Sequence, residues 1–572
     1  SAIEQLIVAV PELGGCMQPN FRVGDAAVLY ECTGPADTVA NHQIIRCSVE
    51  RFSGDILHLR LRNPQHNASL FRKDAVYALE HDYIESSFRL LYSNLFSFLT
   101  SDICRRELIL DRRQPETNPA VNLNRRYLNP QIDSIVLRAK QAQDLFLLVG
   151  PPGTGKTSVA LKSMVEEFMS DGCRLLLVAY TNRAVDEICS MLSSVEGCPD
   201  YVRLGSELSC GPEFREHLIE NKVPRGAGRK GVAELMDRVK IVVGTLTSIN
   251  GHIELFSLCH FDVAIIDEAS QILEPQMLGL VCASDDKGRC AIDRFIMVGD
   301  HKQLPAVVVQ PEEYSSVIDE QLRGIGLKNC RNSMFERLMS LHWDNPSVVA
   351  TLDHQGRMHP DIASFASRLF YGGNLMPVPV AHQKRTTLPF TEYTVDDAYF
   401  ATTRLGFIDV PAPSAVEDSP HSNQAEARMV AHIVNAFRKL YAINSMPFRA
   451  ESEIGIIVPF RRQIAMVLSE MHRLGIEGCD DMTIDTVERY QGSQRNIIIY
   501  ATTVTRSYEM ELLSNTVEIE GTEVDRKLNV AMTRAKEQMF VVGCRTLLEK
   551  NALYRELIAS SACTSMEELI QG

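Results

Sequence analysis

GPPGTGKT occupies residues 150–157, between the apolar run LFLLV at 145–149 and the stretch SVALKS at 158–163. A buried strand, a glycine-rich turn and the N-terminus of a helix are the context of a phosphate-binding loop. The glycines let consecutive backbone N–H groups turn towards an anion, and the helix dipole adds partial positive charge. An ordinary glycine-rich turn is the alternative, but here every position of the pattern is filled. The segment therefore predicts an α/β protein that binds a nucleotide.

The side chains of this loop indicate which ligands it holds. Lys156 can reach the β- and γ-phosphates of a nucleotide, and the Thr157 hydroxyl can complete the shell of a Mg²⁺ ion. We therefore expect ATP and Mg²⁺ as cofactors. The predicted nucleotide-binding residues of the loop are Gly150, Pro151, Pro152, Gly153, Thr154, Gly155, Lys156 and Thr157.

The composition is that of a large globular protein. Its 572 residues are enough for about three to five domains. Hydrophobic residues make up 45% of the chain, yet no apolar run approaches the ~18–20 residues that span a bilayer. The 15 cysteines are spread singly and form no C-x-x-C pair, which favours reduced thiols. We therefore expect a cytoplasmic or nuclear protein with no membrane partner.

The net charge of −15 does not decide whether the partner is a nucleic acid. A negative charge normally argues against such a ligand. A translocating enzyme, however, needs a basic groove only along the path of the strand, and acidic residues elsewhere can outnumber that groove in the sum. The charge therefore leaves the class of partner open.

Polar clusters repeatedly follow short apolar runs in the first half of the chain. Continuous aliphatic runs that alternate with helical stretches predict a parallel sheet covered on both faces. Ligands of such sheets bind where loops leave the carboxyl ends of the strands. The clusters expected at that edge are YTNRAVDEI at 180–188, GTLTS at 244–248, DEASQ at 267–271 and GDHKQLPAVV at 299–308.

The same pattern begins again later in the chain. An apolar run at 348–352 precedes DHQGRMHP at 353–360, and another at 454–458 precedes PFRRQ at 459–463. A third run, at 496–501, follows TVERYQGSQ at 486–494. This second half has no phosphate loop of its own. The sequence therefore predicts one nucleotide site shared by two α/β domains.

Charged and amide side chains near these strand ends are the candidate catalytic residues. Asp267 would hold Mg²⁺ and Glu268 would polarise the attacking water, although the pair could instead cap the next helix. Gln303 is placed to sense the γ-phosphate. Arg357 and Arg534 could reach that phosphate from across a cleft, and a structural ion pair is the alternative for each.

Six motifs follow one another in a fixed order: GPPGTGKT, DEASQ, GDHKQLPAVV, RMHP, VERYQGSQ and LNVAMTRAKEQ. In this order they resemble the motifs of superfamily 1 helicases. Their forms are similar to the branch that contains the nonsense-mediated-decay RNA helicase and the flap-processing nuclease-helicase. The resemblance covers about residues 128–545 and implies two RecA-like P-loop domains with parallel sheets.

The resemblance also implies roles for individual residues. The family has an adenine-reading glutamine before the phosphate loop, and Gln131 is the candidate here. Arg357 and Arg534 match the two γ-phosphate arginines of the family, and Gln303 matches its sensor. The predicted catalytic residues are Glu268, Lys156, Arg357, Arg534 and Gln303, and the predicted metal ligands are Thr157 and Asp267.

Small polar residues match positions that face the nucleic-acid strand in relatives. They are Thr181, Asn182, Thr245 and Thr486. Hydroxyls, amides and backbone N–H groups suit phosphates, so we expect a grip on the backbone of the strand rather than base readout. For each residue, capping of a helix is the alternative.

The chain departs from the family pattern at three positions. Gly356 stands where the family usually has tyrosine, which leaves the stacking of the base uncertain. Gln494 stands where relatives often have glutamate; it can hydrogen-bond but carries no charge. Glu488 replaces an aspartate, which is a milder change.

Four domains are predicted along the chain. Short β-type runs in residues 1–85 indicate a small barrel-like domain, and residues 86–127 form a helical stalk and linker. Residues 128–340 form the ATP-binding RecA-like domain, and residues 341–572 form the second RecA-like domain. The N-terminal part looks closest to the helicase half of the flap-processing nuclease-helicase. Either a nuclease domain or subunit lies upstream of Ser1 or this protein lacks one.

The leading hypothesis is an ATP-driven helicase that moves along single-stranded DNA in the 5′→3′ direction that the resemblance implies. The first alternative is an RNA helicase of the same branch, because contacts to the strand backbone do not distinguish the two polymers. The second alternative is a nucleotide-switched scaffold that never unwinds a duplex.

Overall fold

The computed structural model describes residues 2–10, 21, 24–34, 36–53, 56–82, 86–197, 199–224, 226–308, 310–411 and 421–570. The chain divides into two compact units. The first comprises Ser1–Tyr92 with Ser206–Ser209, and the second comprises Ser93–Gly205 with Cys210–Gly572. Within the described ranges, no helix is long and apolar enough to cross a membrane.

The first unit contains an antiparallel sheet whose strands pair in the order β1-β4-β3-β2-β5. Its strands are β1 (Ile3–Ala9), β2 (Ala26–Glu31), β3 (Ile45–Ser53), β4 (Ile56–Gln65) and β5 (Tyr77–His81). Alternate residues of β4, namely Leu57, Leu59 and Leu61, are buried in a small core. This period of two is that of a half-buried strand. Among the described residues β1 and β5 do not pair with each other, so closure into a barrel stays a prediction.

Two helices lie where the stalk was predicted, α1 (Ser86–Thr100) and α2 (Ile103–Ile109). Asp102 caps α2, because its carboxylate accepts a hydrogen bond from the Cys104 N–H at 2.9 Å. Several apolar side chains of α1 face solvent, since Phe88 and Leu99 are each 64% exposed. Helix formation is therefore as expected, whereas the stalk as a domain stays a prediction.

The second unit begins with a parallel sheet in the order β12-β6-β11-β10-β7-β9-β8. Its strands are β6 (Leu145–Val149), β7 (Leu175–Ala179), β8 (Tyr201–Leu204), β9 (Ile241–Thr245), β10 (Phe261–Asp267), β11 (Ile292–Gly299) and β12 (Val349–Thr351). The helices over this part are α3 (Pro130–Gln141), α4 (Lys162–Ser170), α5 (Asn182–Ser193), α6 (Ile219–Lys222), α7 (Gly228–Arg238), α8 (Leu246–Asn250), α9 (Leu255–Leu258), α10 (Glu274–Val281), α11 (Glu320–Gly324) and α12 (Met334–His342).

Strand β6 shows why these runs are continuously apolar. Leu145, Leu147 and Val149 belong to the core on one face of the sheet, and Phe146 and Leu148 belong to the core on the other face. Every residue of β6 is buried. A sheet covered on both faces was predicted, and the structure confirms it.

One strand lies in a different sheet from the one predicted. The sequence places the run at 348–352 in the second domain, but β12 pairs in parallel with β6, with Thr351 opposite Val149. The first sheet therefore extends past the boundary expected at residue 340, and the assignment of this strand was wrong. A short apolar run carries no information about which sheet edge it joins.

The later part of the second unit contains a second parallel sheet, in the order β17-β16-β18-β21-β15-β22. The strands in chain order are β13 (His354–Gln355), β14 (Met376–Pro377), β15 (Leu405–Asp409), β16 (Ile454–Val458), β17 (Thr483–Thr486), β18 (Arg495–Ala501), β19 (Thr516–Ile519), β20 (Thr522–Asp525), β21 (Ala535–Gly543) and β22 (Ala562–Ser565). Strands β13 and β14 form one separate pair, and β19 and β20 form another.

Helices cover this second sheet as well. They are α13 (Pro360–Phe370), α14 (Ala398–Thr402), α15 (Gln424–Ile443), α16 (Ala450–Glu453), α17 (Arg461–Arg473), α18 (Val487–Tyr490), α19 (Met510–Leu513), α20 (Arg526–Met532), α21 (Arg545–Leu548), α22 (Ala552–Ala559) and α23 (Met566–Ile570). The predicted strands at 454–458 and 496–501 correspond to β16 and β18, two neighbouring interior strands of this sheet. Two parallel α/β sheets are therefore present, as the sequence indicates.

Candidate active site

The loop after β6 has the backbone of a phosphate-binding loop. Gly153 and Gly155 have φ angles of 75° and 76°, which only glycine adopts readily. A Cβ on Gly153 would lie 2.5 Å from the Cβ of Arg357, so glycine also allows the second half of the chain to approach. The amine of Lys156 donates to the carbonyl of Gly150 at 2.8 Å and therefore lies at the mouth of the loop.

Thr157 and Asp267 form the candidate metal site. The Thr157 hydroxyl donates to Asp267 Oδ2 at 2.6 Å. This is close to the separation of about 2.9 Å between neighbouring ligands of an octahedral Mg²⁺ ion. Burial, followed by the charge of Glu268, raises the pKa of Asp267. A divalent cation would relieve both effects, so the two residues fit the Mg²⁺ that the sequence predicts.

Glu268 has an unusual backbone. Its φ angle is 53°, in the left-handed region that non-glycine residues rarely adopt. Strained residues of this kind concentrate at functional sites. Its carboxylate accepts a hydrogen bond from Gln271 Nε2 at 3.0 Å and makes no capping bond to the following helical turn. The capping alternative is therefore wrong for this side chain.

Arg534 and Gln303 bring the two halves of the second unit into contact. Gln303 follows β11, whereas Arg534 lies between α20 and β21. Arg534 Nη2 donates to Gln303 Oε1 at 3.1 Å, and its Nε donates to the Val530 carbonyl at 3.0 Å. Burial lowers the pKa of Arg534 to about 9. Within the described chain no carboxylate forms an ion pair with this guanidinium, so an anion in the cleft would offset the cost of its burial.

Arg357 lies against the phosphate loop. The N–H of the neighbouring Gly356 donates to the Gly153 carbonyl at 2.9 Å. Arg357 Nε donates to Gln494 Oε1 at 2.8 Å, and Nη1 donates to the Thr533 carbonyl at 3.2 Å. Burial lowers the pKa of Arg357 to about 10. Gln494, whose role the sequence left uncertain, therefore holds a candidate catalytic arginine.

Gly356 stands where the family usually has tyrosine, and the structure leaves room for a Cβ atom at this position. A Cβ there would lie 3.8 Å from the nearest atom, the Cβ of Val378, and the φ angle of Gly356 is not in the left-handed region. The backbone therefore does not require glycine at this position.

Gln131, the candidate for adenine recognition, lies beside the phosphate loop. Its Nε2 donates to Asp353 Oδ1 at 2.5 Å and to the Thr351 carbonyl at 3.4 Å. Thr351 is the sheet neighbour of Val149, the residue before the loop. The position suits the predicted role, which itself stays a prediction.

The predicted strand-binding residues lie at carboxyl ends of strands in both sheets. Thr181 and Asn182 are exposed at the N-terminus of α5, after β7, and Thr245 ends the neighbouring strand β9. Thr486 ends β17, at one edge of the second sheet. The two halves meet nearby, because Arg183 donates to the Ser493 hydroxyl at 2.6 Å.

Two of these threonines also cap helices. Thr181 accepts a hydrogen bond from the Ala184 N–H at 3.2 Å, and Thr245 accepts one from the Ser248 N–H at 3.1 Å. Thr245 is buried, so its hydroxyl has a structural role. Binding of a strand at these positions stays a prediction.

Three further polar residues at the junction were not found by sequence reasoning. Asp300, Tyr371 and Asn529 are buried, and the Tyr371 hydroxyl forms a hydrogen bond with each of the other two side chains. Asp300 directly follows β11 in the motif GDHKQLPAVV, so its position after a strand was a usable signal. Tyr371 follows α13 in a segment without a recognisable pattern, and nothing in the sequence indicated its contacts.

Two family models, both described as AAA domain, match the chain. One matches residues 127–228 and 220–311, and the other matches residues 330–546. These ranges contain all of the predicted catalytic residues.

Relatives cover most of the chain. The chain is 30% identical to the DNA replication ATP-dependent helicase/nuclease DNA2 of Bos taurus over 487 residues. The matched region makes up 79% of this chain and 42% of the relative. The protein of the same name from Mus musculus is 29% identical over 480 residues, 78% of this chain and 41% of the relative. JHS1 of Arabidopsis thaliana, also named a DNA replication ATP-dependent helicase/nuclease, is 27% identical over 561 residues, 94% of this chain and 38% of the relative.

The chain thus spans about two fifths of the length of these relatives. The motifs, the two parallel sheets, the family models and these relatives agree with one another. The chain belongs to the superfamily 1 helicases, in the branch of the DNA replication ATP-dependent helicase/nucleases.

Proposed function

We propose that the protein is an ATP-dependent DNA helicase that hydrolyses ATP in the cleft between its two parallel sheets. The contact of Arg534 with Gln303 carries this proposal, because it joins a cation of the second half to an amide of the half that bears the phosphate loop. Burial lowers the pKa of both Arg357 and Arg534, and the charge of Glu268 partly opposes that lowering in each, which supports a single shared site.

The first half binds the nucleotide. Backbone N–H groups of residues 150–157 surround the phosphates, and Lys156 offsets the charge of the β- and γ-phosphates. Thr157 and Asp267 hold Mg²⁺, which neutralises phosphate charge when it is bound. Gln131 reads the adenine edge.

Hydrolysis requires the second half. Glu268 orients and polarises the attacking water, and Gln303 contacts the γ-phosphate. Arg357 and Arg534 offset the charge that develops in the transition state. Because both arginines come from the second half, hydrolysis is coupled to closure of the cleft.

Closure and reopening then move the strand-gripping surfaces relative to each other. Thr181, Asn182 and Thr486 contact the phosphodiester backbone, whereas the buried Thr245 caps α8 at the neighbouring strand end, and translocation is 5′→3′. DNA is favoured over RNA because the relatives are named DNA replication helicase/nucleases. The names of those relatives combine a helicase with a nuclease, and we therefore also propose a nuclease domain or subunit upstream of the described residues.

The domain plan belongs to the same proposal. It consists of a barrel at residues 1–85, a stalk at 86–127 and RecA-like domains at 128–340 and 341–572, with β12 as part of the first sheet.

Unwinding of tailed duplexes tests this function. A duplex with a 5′ single-stranded DNA tail should be unwound with ATP, whereas a duplex with only a 3′ tail should not. Affinity for single strands should fall steeply with salt and vary little with sequence. Equal unwinding from both tails would contradict the polarity. Better unwinding from an RNA tail would support the RNA helicase, and no unwinding despite stimulated ATP hydrolysis would support the scaffold.

A further inference from the structure

A ring of buried hydrogen bonds joins the two halves next to the candidate γ-phosphate sensor. Asp300 Oδ2 accepts hydrogen bonds from Gln303 Nε2 and from the Tyr371 hydroxyl, each at 2.8 Å. The Tyr371 hydroxyl in turn accepts a hydrogen bond from Asn529 Nδ2 at 2.9 Å. Asp300 is 1% exposed, Tyr371 8% and Asn529 0%. Water therefore does not replace these bonds, and each donor and acceptor is constrained by its neighbours.

The direction of each bond follows from the chemistry of the groups. Asn529 Nδ2 also donates to the Lys302 carbonyl at 2.7 Å, and because a carbonyl only accepts, this atom is the amide nitrogen. Tyr371 has one proton, and burial together with the charge of Asp300 raises its pKa well above the ordinary value. The hydroxyl therefore accepts from Asn529 and donates to Asp300.

The same reasoning fixes the amide of Gln303. Asp300 Oδ2 accepts from both of its partners, so Gln303 turns its Nε2 to Asp300 and its Oε1 outward. That Oε1 accepts the hydrogen bond from Arg534 Nη2. Reversal of this amide would place two donors, the guanidinium of Arg534 and the amide nitrogen, against each other. The orientation of Asp300 therefore sets the orientation in which Gln303 meets Arg534.

Two members of the ring, Asn529 and Arg534, lie on one short segment of the second half. Asn529 lies in α20 and Arg534 follows that helix. The two residues are tied together through Thr533, whose hydroxyl donates to the Asn529 carbonyl at 2.7 Å and accepts from Arg534 Nη2 at 3.0 Å. A movement of α20 therefore acts on Gln303 by two routes, directly through Arg534 and indirectly through Tyr371 and Asp300.

We infer that Tyr371 is a positioning residue for ATP hydrolysis, because its hydroxyl holds Asp300 so that the Gln303 amide faces Arg534. Tyr371 contacts neither the phosphates nor the attacking water, and it acts only through its hydrogen bond to Asp300. The inference rests on the proposed function, since it assigns Tyr371 to the hydrolytic step of that site.

The test compares two tyrosine-to-phenylalanine variants of the full chain. Tyr371→Phe removes only the hydroxyl of the ring. Tyr554→Phe is the matched control, because this tyrosine is also buried and its hydroxyl lies 3.1 Å from the Tyr500 hydroxyl, in another part of the second half. Steady-state ATP hydrolysis is measured with saturating single-stranded DNA, and thermal melting shows that each variant folds.

We expect Tyr371→Phe to lower kcat about 10-fold and to leave KM for ATP within about 2-fold, as for a lost hydrogen bond to a charged group that acts in the transition state. Tyr554→Phe should keep the kcat of the unaltered protein. The loss should also be non-additive with Gln303→Ala, so that the double variant is no slower than Gln303→Ala alone. A purely structural tyrosine would not give this dependence on Gln303.

A kcat of Tyr371→Phe equal to that of the unaltered protein would overturn the inference, and so would a loss that simply multiplies with that of Gln303→Ala. If Tyr371→Phe does not fold, Asp300→Asn takes its place, because an amide at position 300 no longer fixes the Gln303 amide. It should lower kcat and be non-additive with Gln303→Ala, and full activity would overturn the inference. An unaltered protein without ATP hydrolysis would instead overturn the proposed function, and this inference with it.

Discussion

The two parallel sheets differ in the charged groups that they bring to the cleft. The first sheet presents the phosphate loop together with Asp267, a carboxylate whose pKa burial raises. The second half presents Arg357 and Arg534, two guanidiniums whose pKa burial lowers. In the first half a bound Mg²⁺ ion would offset the buried charge, and in the second half the negative charge that develops on the phosphates during hydrolysis would offset the buried guanidiniums. We therefore propose a division of labour between the two halves. The first half binds the nucleotide, and the second half promotes its hydrolysis.

The largest expected effect comes from the first half. Lys156→Ala removes the cation that reaches the β- and γ-phosphates, so ATP hydrolysis should fall by at least ~100-fold. Steady-state ATP hydrolysis with single-stranded DNA measures this loss. The variant should still bind DNA without nucleotide, since the proposed strand contacts lie elsewhere. Near-normal turnover would show that the loop is not the nucleotide site.

The next effect concerns an arginine of the second half. Arg357→Ala should lower turnover about 100-fold and change ATP binding only modestly, because the guanidinium acts on transition-state charge. Arg368→Ala is the control, since this exposed arginine of α13 contacts surface groups of α22 and its end, namely Glu556 at 3.1 Å and the Ser560 hydroxyl at 3.2 Å. Equal turnover in the two variants would make Arg357 a structural residue.

The smallest effect concerns the residue that holds Arg357. Gln494→Ala removes the acceptor of its Nε and should lower kcat about 3- to 10-fold, since Arg357 keeps its bond to the Thr533 carbonyl. Glu488→Gln, in the same motif but exposed, should leave kcat unchanged. A loss as large as that of Arg357→Ala would mean that Gln494 itself touches the nucleotide.

The sequence predicted the parts of this arrangement that depend on local pattern. Strands β6 and β7 are continuously apolar, and β10 and β11 are apolar at 263–266 and 295–298, because both faces of the sheet are covered there. The polar residues after these runs reach one edge of the sheet. The edge strand β12 was assigned to the wrong sheet, because its three residues are too few to show which neighbour they pair with.

Contacts between distant residues could not be predicted in the same way. Tyr371 and Asp300 are 71 positions apart, and Asn529 and Tyr371 are 158 positions apart. Their hydrogen bonds arise only when α13 and α20 pack against the end of β11. The same holds for Gln494 and Arg357, which are 137 positions apart.

The division of labour is tested most directly by measuring two quantities on Arg534→Ala. These are the dissociation constant of ATP and the rate of a single turnover with single-stranded DNA bound. We expect a dissociation constant within about 3-fold of that of the unaltered protein and a single-turnover rate about 100-fold lower, because Arg534 acts only on transition-state charge. An unchanged rate, or a loss of ATP binding as large as the loss of rate, would contradict the claim that the second half promotes hydrolysis without binding the nucleotide.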